Sequence, residues 1–132
     1  MPGAKPRTAP SRKGTPPAPA QGRRSVCPIA CTLDLVGDRW TLLVVRDLMS
    51  GKSHFKEFLA SPEGIATNIL AERLARLTDS GLAERYPSGD VGGRDAYRLT
   101  EKGRALRGLM AQMKAWGLRY VDGTEARVQL RD

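Results

Sequence analysis

Two amphipathic segments separated by a short break, between residues 53 and 81, constrain the fold of this chain more than any other feature. The first segment is short and follows Ser53, a residue type that commonly caps the N-terminus of a helix. The break has the sequence Ser-Pro-Glu-Gly at residues 61–64, where proline and glycine interrupt a helix. The second segment predicts a longer helix from Thr67 to Asp79. This order indicates a helix-turn-helix unit.

The longer helix has one apolar face and one polar face. Leucines recur at i, i+4 and i+7 and predict a buried stripe, which consists of Leu70, Leu74 and Leu77. The opposite face carries Asn68, Glu72 and Ala75. A helix with this polarity can pack on its domain through one side and meet a polar partner through the other.

Upstream of this unit, apolar residues at helical spacing predict two further helices. The first covers Ile29–Val36 and ends at Gly37. The second covers Arg39–Met49, and we expect Asp38 to act as its N-cap. The apolar face of the second helix consists of Trp40, Leu43, Val44 and Leu48.

Downstream, the pattern changes to strands and then returns to a helix. Residues 82–86 and 94–99 predict two short strands, and the turn-forming segment 87–93 between them predicts a hairpin with a flexible tip. Thr100 is the expected N-cap of one long helix that runs to about Val121. Its apolar stripe consists of Leu106, Leu109, Met110, Met113, Trp116 and Tyr120.

These elements predict a mainly α fold with a small β-hairpin wing (α+β), that is, a winged helix-turn-helix. We expect the domain to cover residues 25–122. Residues 1–24 are predicted to form a disordered basic tail rich in Pro, Ala and Gly, and residues 123–132 a short C-terminal tail.

The terminal helices predict a homodimer. A domain of this size cannot easily bury both the Trp116 end of the last helix and the first helix within itself. We therefore expect these helices to meet a second copy across a two-fold axis. The residues predicted to form this contact are Ile29, Leu33, Met113, Trp116 and Tyr120.

The charge of the chain favours a polyanionic partner. Lys and Arg number 22 against 14 Asp and Glu, so the net charge is +8. Residues 1–26 hold six basic residues and no acidic one, which leaves the remainder nearly balanced. The basic tail is expected either to add salt-sensitive DNA affinity or to be an inert extension.

Several protein classes are excluded by motif and hydropathy. No apolar run approaches the roughly 18 residues of a membrane span, and no secretory signal pattern follows the basic N-terminus, so we expect a cytoplasmic, nucleoid-associated protein without membrane contact. The sequence contains no nucleophile elbow, P-loop or dinucleotide-binding turn, so we expect no enzyme and no cofactor.

Spaced motifs across about residues 27–121 resemble the HxlR-type winged helix-turn-helix transcriptional regulators of bacteria. The N-terminal motifs are Cys27-Pro28, the run from Leu33 to Trp40 followed by Leu42-Leu43, and Phe55-Lys56-Glu57-Phe58. The C-terminal motifs are Gly64 to Leu70, Arg73-Leu74, Leu77, Ser80-Gly81-Leu82 and Tyr97 to Gly103. Many spaced matches of this kind are far more specific than one short motif.

The resemblance implies a dimeric repressor or activator that binds a pseudo-palindromic operator in double-stranded DNA. A recognition helix of about residues 66–79 would enter the major groove, and a wing of about residues 87–94 would lie at the minor groove. The residues expected to contact DNA are Lys52, Ser53, His54, Thr67, Asn68, Ala71, Arg73, Arg76 and Arg94. Family members also vary in the small molecule or oxidant to which they respond, so the effector stays open.

Individual roles follow from side-chain chemistry. Asn68 and Thr67 can contact base edges, and Arg73 and Arg76 can reach phosphate or guanine. Glu72 has two interpretations, a contact with a cytosine amino group or an ion pair with Arg76 at i+4.

The segment before the short helix and the wing complete the predicted contacts. Lys52, Ser53 and His54 are assigned to phosphates, although a lone exposed histidine can also lack a role. Arg94 is assigned to the minor groove, with a surface ion pair to Asp90 or Asp95 as the alternative.

This chain departs from the family pattern at two places. Many members carry serine where this chain has Ala66, and a Pro-Pro pair where it has Gly92-Gly93. The glycine pair predicts a more flexible wing.

Two cysteines lie at the start of the domain, Cys27 and Cys31. With a single histidine in the chain they form a poor zinc ligand set, so no metal is predicted. Some members of the family sense oxidants or electrophiles through the cysteine at the Cys27 position, and a helix N-terminus near Arg23 and Arg24 favours a reactive thiol. The alternative is that Cys27 is a small buried hydrophobic residue.

A winged-helix module that binds a protein instead of DNA is the alternative function, because a fold alone does not determine function. The two functions differ in what they require on the outer face of the recognition helix. A protein-docking face carries exposed aromatic or large apolar side chains, whereas a DNA-binding face is polar.

Overall fold

Helices and one hairpin follow each other along the chain in the order that the apolar pattern predicts. The computed structural model describes residues 24–89 and 95–130. The chain divides into two compact units, Met1–Asp38 and Arg39–Asp132. Among the described residues, none of the helices is sufficiently long and apolar to span a bilayer.

The first unit contains α1 (Pro28–Val36), which agrees with the predicted helix over Ile29–Val36. Pro28 occupies its first turn, where a missing backbone N–H costs nothing. Gly37 ends the helix by donating its N–H to the carbonyl oxygen of Leu33 at 2.8 Å. A side chain at Gly37 would lie 2.5 Å from that oxygen, so the close approach requires glycine. Arg24 forms an ion pair with Asp34 at 2.7 Å.

The elements of the second unit are α2 (Thr41–Met49), α3 (Phe55–Leu59), α4 (Thr67–Asp79), β1 (Ala83–Pro87), β2 (Asp95–Leu99), α5 (Glu101–Arg104) and α6 (Arg107–Tyr120). Helix α4 contacts α2, α3 and β1. Its three leucines are buried, which confirms the predicted stripe. The core around them consists of Val44, Val45, Leu48, Met49, Phe58, Ile65, Leu82, Ala83, Ala96 and Leu99.

A buried carboxylate ties α2 to the connections on both sides of α3. Asp47 is 3% exposed, and its Oδ2 accepts a hydrogen bond from Ser61 Oγ at 2.5 Å. Its Oδ1 accepts two hydrogen bonds from the guanidinium of Arg46, at 2.9 and 3.0 Å. Lys52 Nζ donates to the same Ser61 oxygen at 2.6 Å. Arg46 also donates to both carboxylate oxygens of Glu63 at 2.8 Å, and this contact lowers the pKa of Glu63.

The hairpin is antiparallel, and Arg85 pairs with Tyr97 at its centre. The N–H of Tyr97 also donates to the carbonyl oxygen of Ser53 at 2.9 Å, so the connection between α2 and α3 lies along the edge of β2. The strand bounds agree with the predicted hairpin within one residue. The predicted turn over 87–93 lies partly outside the described residues.

Two predicted helix caps are wrong. The N-cap position of α2 is Trp40 and not Asp38, because residues 39 and 40 form a turn before helical hydrogen bonding begins. The N-cap position of α3 is His54 and not Ser53. Glu57 Oε1 accepts the backbone N–H groups of both Ser53 and His54 at 2.9 Å, and Glu57 is the N3 residue of a capping box whose N-cap residue is His54.

The predicted single helix after Thr100 is interrupted. Thr100 accepts the N–H of Gly103 as a cap, as expected, but α5 ends at Arg104 and α6 begins at Arg107. The N–H of Leu106 bonds to the carbonyl of Gly103, three residues back, which tightens the turn. Gly103 packs so closely on the carbonyl oxygen of Leu82 that any side chain there would collide with it. This contact between distant segments sets the position of α5.

Replacing Asp47 with alanine is expected to lower the free energy of unfolding by about 3 kcal/mol. The change leaves Arg46 and Ser61 without the buried acceptor that pairs their donors. Urea unfolding followed by circular dichroism measures the change. The control is Glu125→Ala, which removes an exposed ion pair with Arg127 and is expected to stay within about 0.5 kcal/mol of the parent. Equal stabilities for the two variants would contradict the role given to Asp47.

Candidate nucleic-acid interface

The outer face of α4 is polar and exposed along its length. Its exposed side chains in the first three turns are Thr67, Asn68, Ala71, Glu72 and Ala75. This confirms the predicted division of the helix into a leucine face and an outer face. None of the large exposed hydrophobic residues of the described chain lies on α4.

The N-terminus of α4 has no side-chain cap. The N-cap residue is Ala66, in extended conformation with φ −70° and ψ 148°, and alanine has no oxygen that could accept the N–H groups of the first turn. These N–H groups have no partner within the helix itself and can donate to an anion such as a DNA phosphate.

Both arginines of α4 lie beside one carboxylate. Arg73 is largely packed, with 16% of its side chain exposed, and it donates a hydrogen bond to Glu72. Arg76 is 41% exposed, and its Nε lies 4.0 Å from Glu72 Oε2. The predicted i+4 ion pair is therefore present. The involvement of Arg73 was not predicted.

The residues before α3 that are predicted to contact phosphates form hydrogen bonds within the protein. Lys52, Ser53 and His54 are half-buried. Lys52 donates to Ser61, and Ser53 Oγ lies 3.0 Å from His54 Nδ1. The backbone hydrogen bonds to Glu57 lower the pKa of that carboxyl and keep the connection in place. The bond between Ser53 and Tyr97 places these residues next to the wing.

The base of the wing carries two cationic side chains that the sequence interpretation did not single out. The guanidinium carbon of Arg98 lies 4.4 Å from the centroid of the Tyr86 ring, and its Nε lies 2.8 Å from Glu84 Oε2. Arg85 pairs with Asp95 at 2.8 Å. Cross-strand pairs of this kind are recognisable only after the register is known. Arg94 lies outside the described residues.

Helix α6 has no buried residue in this chain. Trp116 is 62% and Tyr120 60% exposed, and their ring centroids lie 5.3 Å apart. The exposed apolar side chains of α6 also include Leu109, Met113 and Leu118. In the first unit, Ile29 and Leu33 of α1 are 72% and 53% exposed. The residues predicted to form a dimer contact are thus exposed on both helices.

The interpretation of Cys27 as a buried hydrophobic residue is wrong. Cys27 is exposed and occupies the N-cap position of α1, before the first helical turn. Cys31 is half-buried, and its Sγ lies 3.3 Å from the carbonyl oxygen of Ser25. Of the two arginines expected near the Cys27 thiol, Arg24 forms an ion pair with Asp34, and Arg23 lies outside the described residues. Among residues 24–89 and 95–130, no cluster of three or more His, Cys, Asp or Glu side chains has the arrangement of a metal site.

Comparison with known proteins gives the family. The model of a family described as HxlR-like helix-turn-helix matches residues 35–125. The HTH-type transcriptional regulator YdeP of Bacillus subtilis is 34% identical over 96 residues, which cover 73% of this chain and 75% of YdeP. The HTH-type transcriptional regulator Rv3095 of Mycobacterium tuberculosis is 40% identical over 93 residues, which cover 70% of this chain and 58% of Rv3095. The match to Rv3095 thus spans little more than half of that relative.

Solved structures share the fold. The candidate transcription factor PA1607 has a TM-score of 0.73 and 41% identity, over 83% of this chain and 78% of its own. The redox regulator HypR in its oxidised form has a TM-score of 0.67 and 33% identity, over 73% and 99% of the two chains. The reduced form of the transcriptional regulator YodB from Bacillus subtilis has a TM-score of 0.62 and 32% identity, over 76% and 100%. These similarities confirm the predicted winged helix-turn-helix fold.

Proposed function

The chain belongs to the HxlR-like helix-turn-helix family of transcriptional regulators, and on that premise we propose that it binds operator DNA as a homodimer. Each copy inserts α4 into the major groove and sets the hairpin wing against the minor groove. The observation that carries the proposal is the exposed polar face of α4, which is held outward by the buried leucine stripe. A transcriptional regulator of this kind is not an enzyme.

Base contacts come from the first turns of α4. Asn68 can accept and donate in a bidentate pair with adenine, and Thr67 offers both a hydroxyl and a methyl group. Ala71, one turn further, is small enough to let the helix approach the bases closely, and its methyl group can contact thymine. The uncapped N–H groups after Ala66 add a contact to a phosphate.

Phosphate contacts position the helix. Lys52 Nζ donates to Ser61 and lies 3.9 Å from Asp47 Oδ1, and its side chain is 31% exposed, so a further N–H of its three can reach a phosphate. Ser53 and His54 adjoin it, and Arg73 and Arg76 lie on α4 itself. Arg94 is assigned to the minor groove on the strength of the family resemblance, and the basic residues before residue 25 add salt-sensitive affinity.

The protein-interaction alternative is not favoured. A docking helix of that kind buries aromatic or large apolar anchors in its partner. The outer face of α4 offers hydroxyl, amide and charged groups with two alanines between them.

A second copy of the chain is the partner that fits the exposed apolar faces of α1 and α6. A soluble monomer rarely exposes a tryptophan, a tyrosine and several aliphatic side chains along one helix. A two-fold dimer covers them and presents two α4 helices to half-sites about one helical turn of DNA apart. Such a regulator acts on the chromosome, so we place it in the cytoplasm at the nucleoid.

A thiol response at Cys27 is a second function of the same regulator. Its thiol is exposed at the N-terminus of α1, where an oxidant in solution can reach it. Two structural neighbours, HypR and YodB, are described in reduced, oxidised or diamide-treated forms. An oxidant is therefore the effector we favour.

Asn68→Ala is expected to weaken binding to the preferred operator by about 1–3 kcal/mol and to relax the sequence preference at one position of each half-site. The operator is first identified by footprinting the intergenic DNA beside the gene, with competitor DNA and at two salt concentrations. Gln129→Ala, which removes an exposed amide in the C-terminal segment, serves as the control. Binding that is weak and equal on all sequences would refute operator recognition.

Trp116→Glu is expected to weaken dimerisation by about 2 kcal/mol or more, because it places a charge in the centre of the proposed contact. Sedimentation equilibrium measures the dissociation constant, and the operator titration reports the accompanying loss of cooperative half-site binding. Lys114→Glu introduces the same carboxylate at another exposed position of α6 and is expected to leave the dimer intact. A dimer unchanged by Trp116→Glu would place the interface elsewhere.

Diamide with a small thiol is expected to lower the operator affinity of the parent and of Cys31→Ser, but not of Cys27→Ser. Diamide accepts two electrons and two protons while Cys27 and the small thiol join in a disulfide. The added group lies on α1, within the proposed dimer contact. An affinity that responds equally in all three proteins, or in none, would remove Cys27 as the sensor.

A further inference from the structure

A carboxylate lies on the surface that we propose to meet DNA. Asn68, Glu72 and Arg76 succeed one another at i, i+4 and i+8 and so lie in one row along the outer face of α4. The Glu72 side chain is 52% exposed. A carboxylate in this position is repelled by phosphates and cannot contribute to binding through general attraction to DNA.

Glu72 also lies close to both positively charged side chains of α4. It accepts a hydrogen bond from Arg73 and lies 4.0 Å from Arg76. Helix α4 contains these two arginines and two acids, Glu72 and Asp79, so its side chains carry no net charge. The recognition helix alone therefore offers little attraction to DNA of arbitrary sequence.

Entry into the major groove removes water from the carboxylate. A desolvated carboxylate that accepts no hydrogen bond is costly, so the free energy of binding depends on which bases face Glu72. The major groove offers amino donors on cytosine and adenine, whereas guanine and thymine present acceptors. The adenine amino group lies between two acceptors, adenine N7 and thymine O4, which repel a carboxylate. Cytosine is therefore the base that fits best.

We propose that Glu72 is a specificity-determining residue that requires a cytosine in each half-site. Where a cytosine amino group donates to Glu72, the more exposed arginine, Arg76, is released to a phosphate and the complex forms. Where no such group is present, Glu72 keeps Arg73 and Arg76 paired and its own repulsion opposes binding. This inference rests on the proposed function, because it requires α4 to enter the major groove.

The test compares Glu72→Gln with the parent in the full 132-residue chain. A duplex library with random positions identifies the preferred sequence of each protein. The preferred duplex and a shuffled duplex are then titrated at several salt concentrations. Glu125→Gln is the matched control, because Glu125 is also an exposed acid paired with an arginine but lies outside α4.

Glu72→Gln is expected to lose the cytosine preference at one position of each half-site and to bind the shuffled duplex more tightly. The ratio of preferred to shuffled affinity is expected to fall roughly tenfold, the usual effect of one mismatched base pair. The salt dependence on shuffled DNA is expected to steepen by about one unit of slope as an arginine becomes available to phosphate. Thermal unfolding verifies that the exposed substitution leaves the fold unchanged.

The outcomes separate this inference from the proposed function. A parent protein that selects no sequence overturns both. A parent that selects a sequence, with Glu72→Gln selecting the same sequence at the same affinity ratio, overturns the role of Glu72 alone. A uniform loss of affinity on all duplexes would identify Glu72 as a structural ion-pair partner and would also overturn the inference.

Discussion

Burial of the α4 leucine stripe is the interaction on which the rest of the structure depends. Leu70, Leu74 and Leu77 are at most 1% exposed, and the helix contacts α2, α3 and β1. Burying one leucine stabilises a fold by about 1.5–3 kcal/mol, so rotating α4 to expose all three would cost several kcal/mol. The helical period then leaves Asn68 and Glu72 no orientation except outward. The same apolar contact that stabilises the domain therefore also presents the face that we propose to bind DNA.

Polar groups around α3 connect the segments before and after it to α2 and β2. Asp47 connects α2 to Ser61, and Ser61 in turn accepts from Lys52. The carbonyl of Ser53 bonds to β2, so the wing and the connection before α3 form one surface. Buried networks of this kind are costly when incomplete, which makes the arrangement specific. The phosphate contacts proposed at residues 52–54 thus depend on a carboxylate that itself never reaches DNA.

The success of sequence-based prediction differed between elements for physical reasons. The bounds of α4 and the hairpin were predictable because periodicity and turn-forming residues are local signals. The start of α3 was misplaced because Glu57 bonds both candidate cap positions, and spacing alone does not choose between them. The break between α5 and α6 was missed because Thr100 and the apolar stripe from Leu106 onward both fit one continuous helix. Gly103 packs against Leu82, 21 residues away, a contact that spacing does not reveal. The exposure of Cys27 was missed because the average burial of cysteine says nothing about an individual position.

The sequence by itself determined which side of each long helix is apolar, because the period of 3.6 residues converts spacing into a face. It therefore specified the outer face of α4 and the unpartnered stripe of α6. Only the tertiary structure decided the partners of the buried charged groups: Asp47 with Ser61, and Arg46 with Glu63. A charged side chain pairs with whichever group the fold brings within about 4 Å, and for Asp47 and Arg46 those groups come from connections that packing alone brings together.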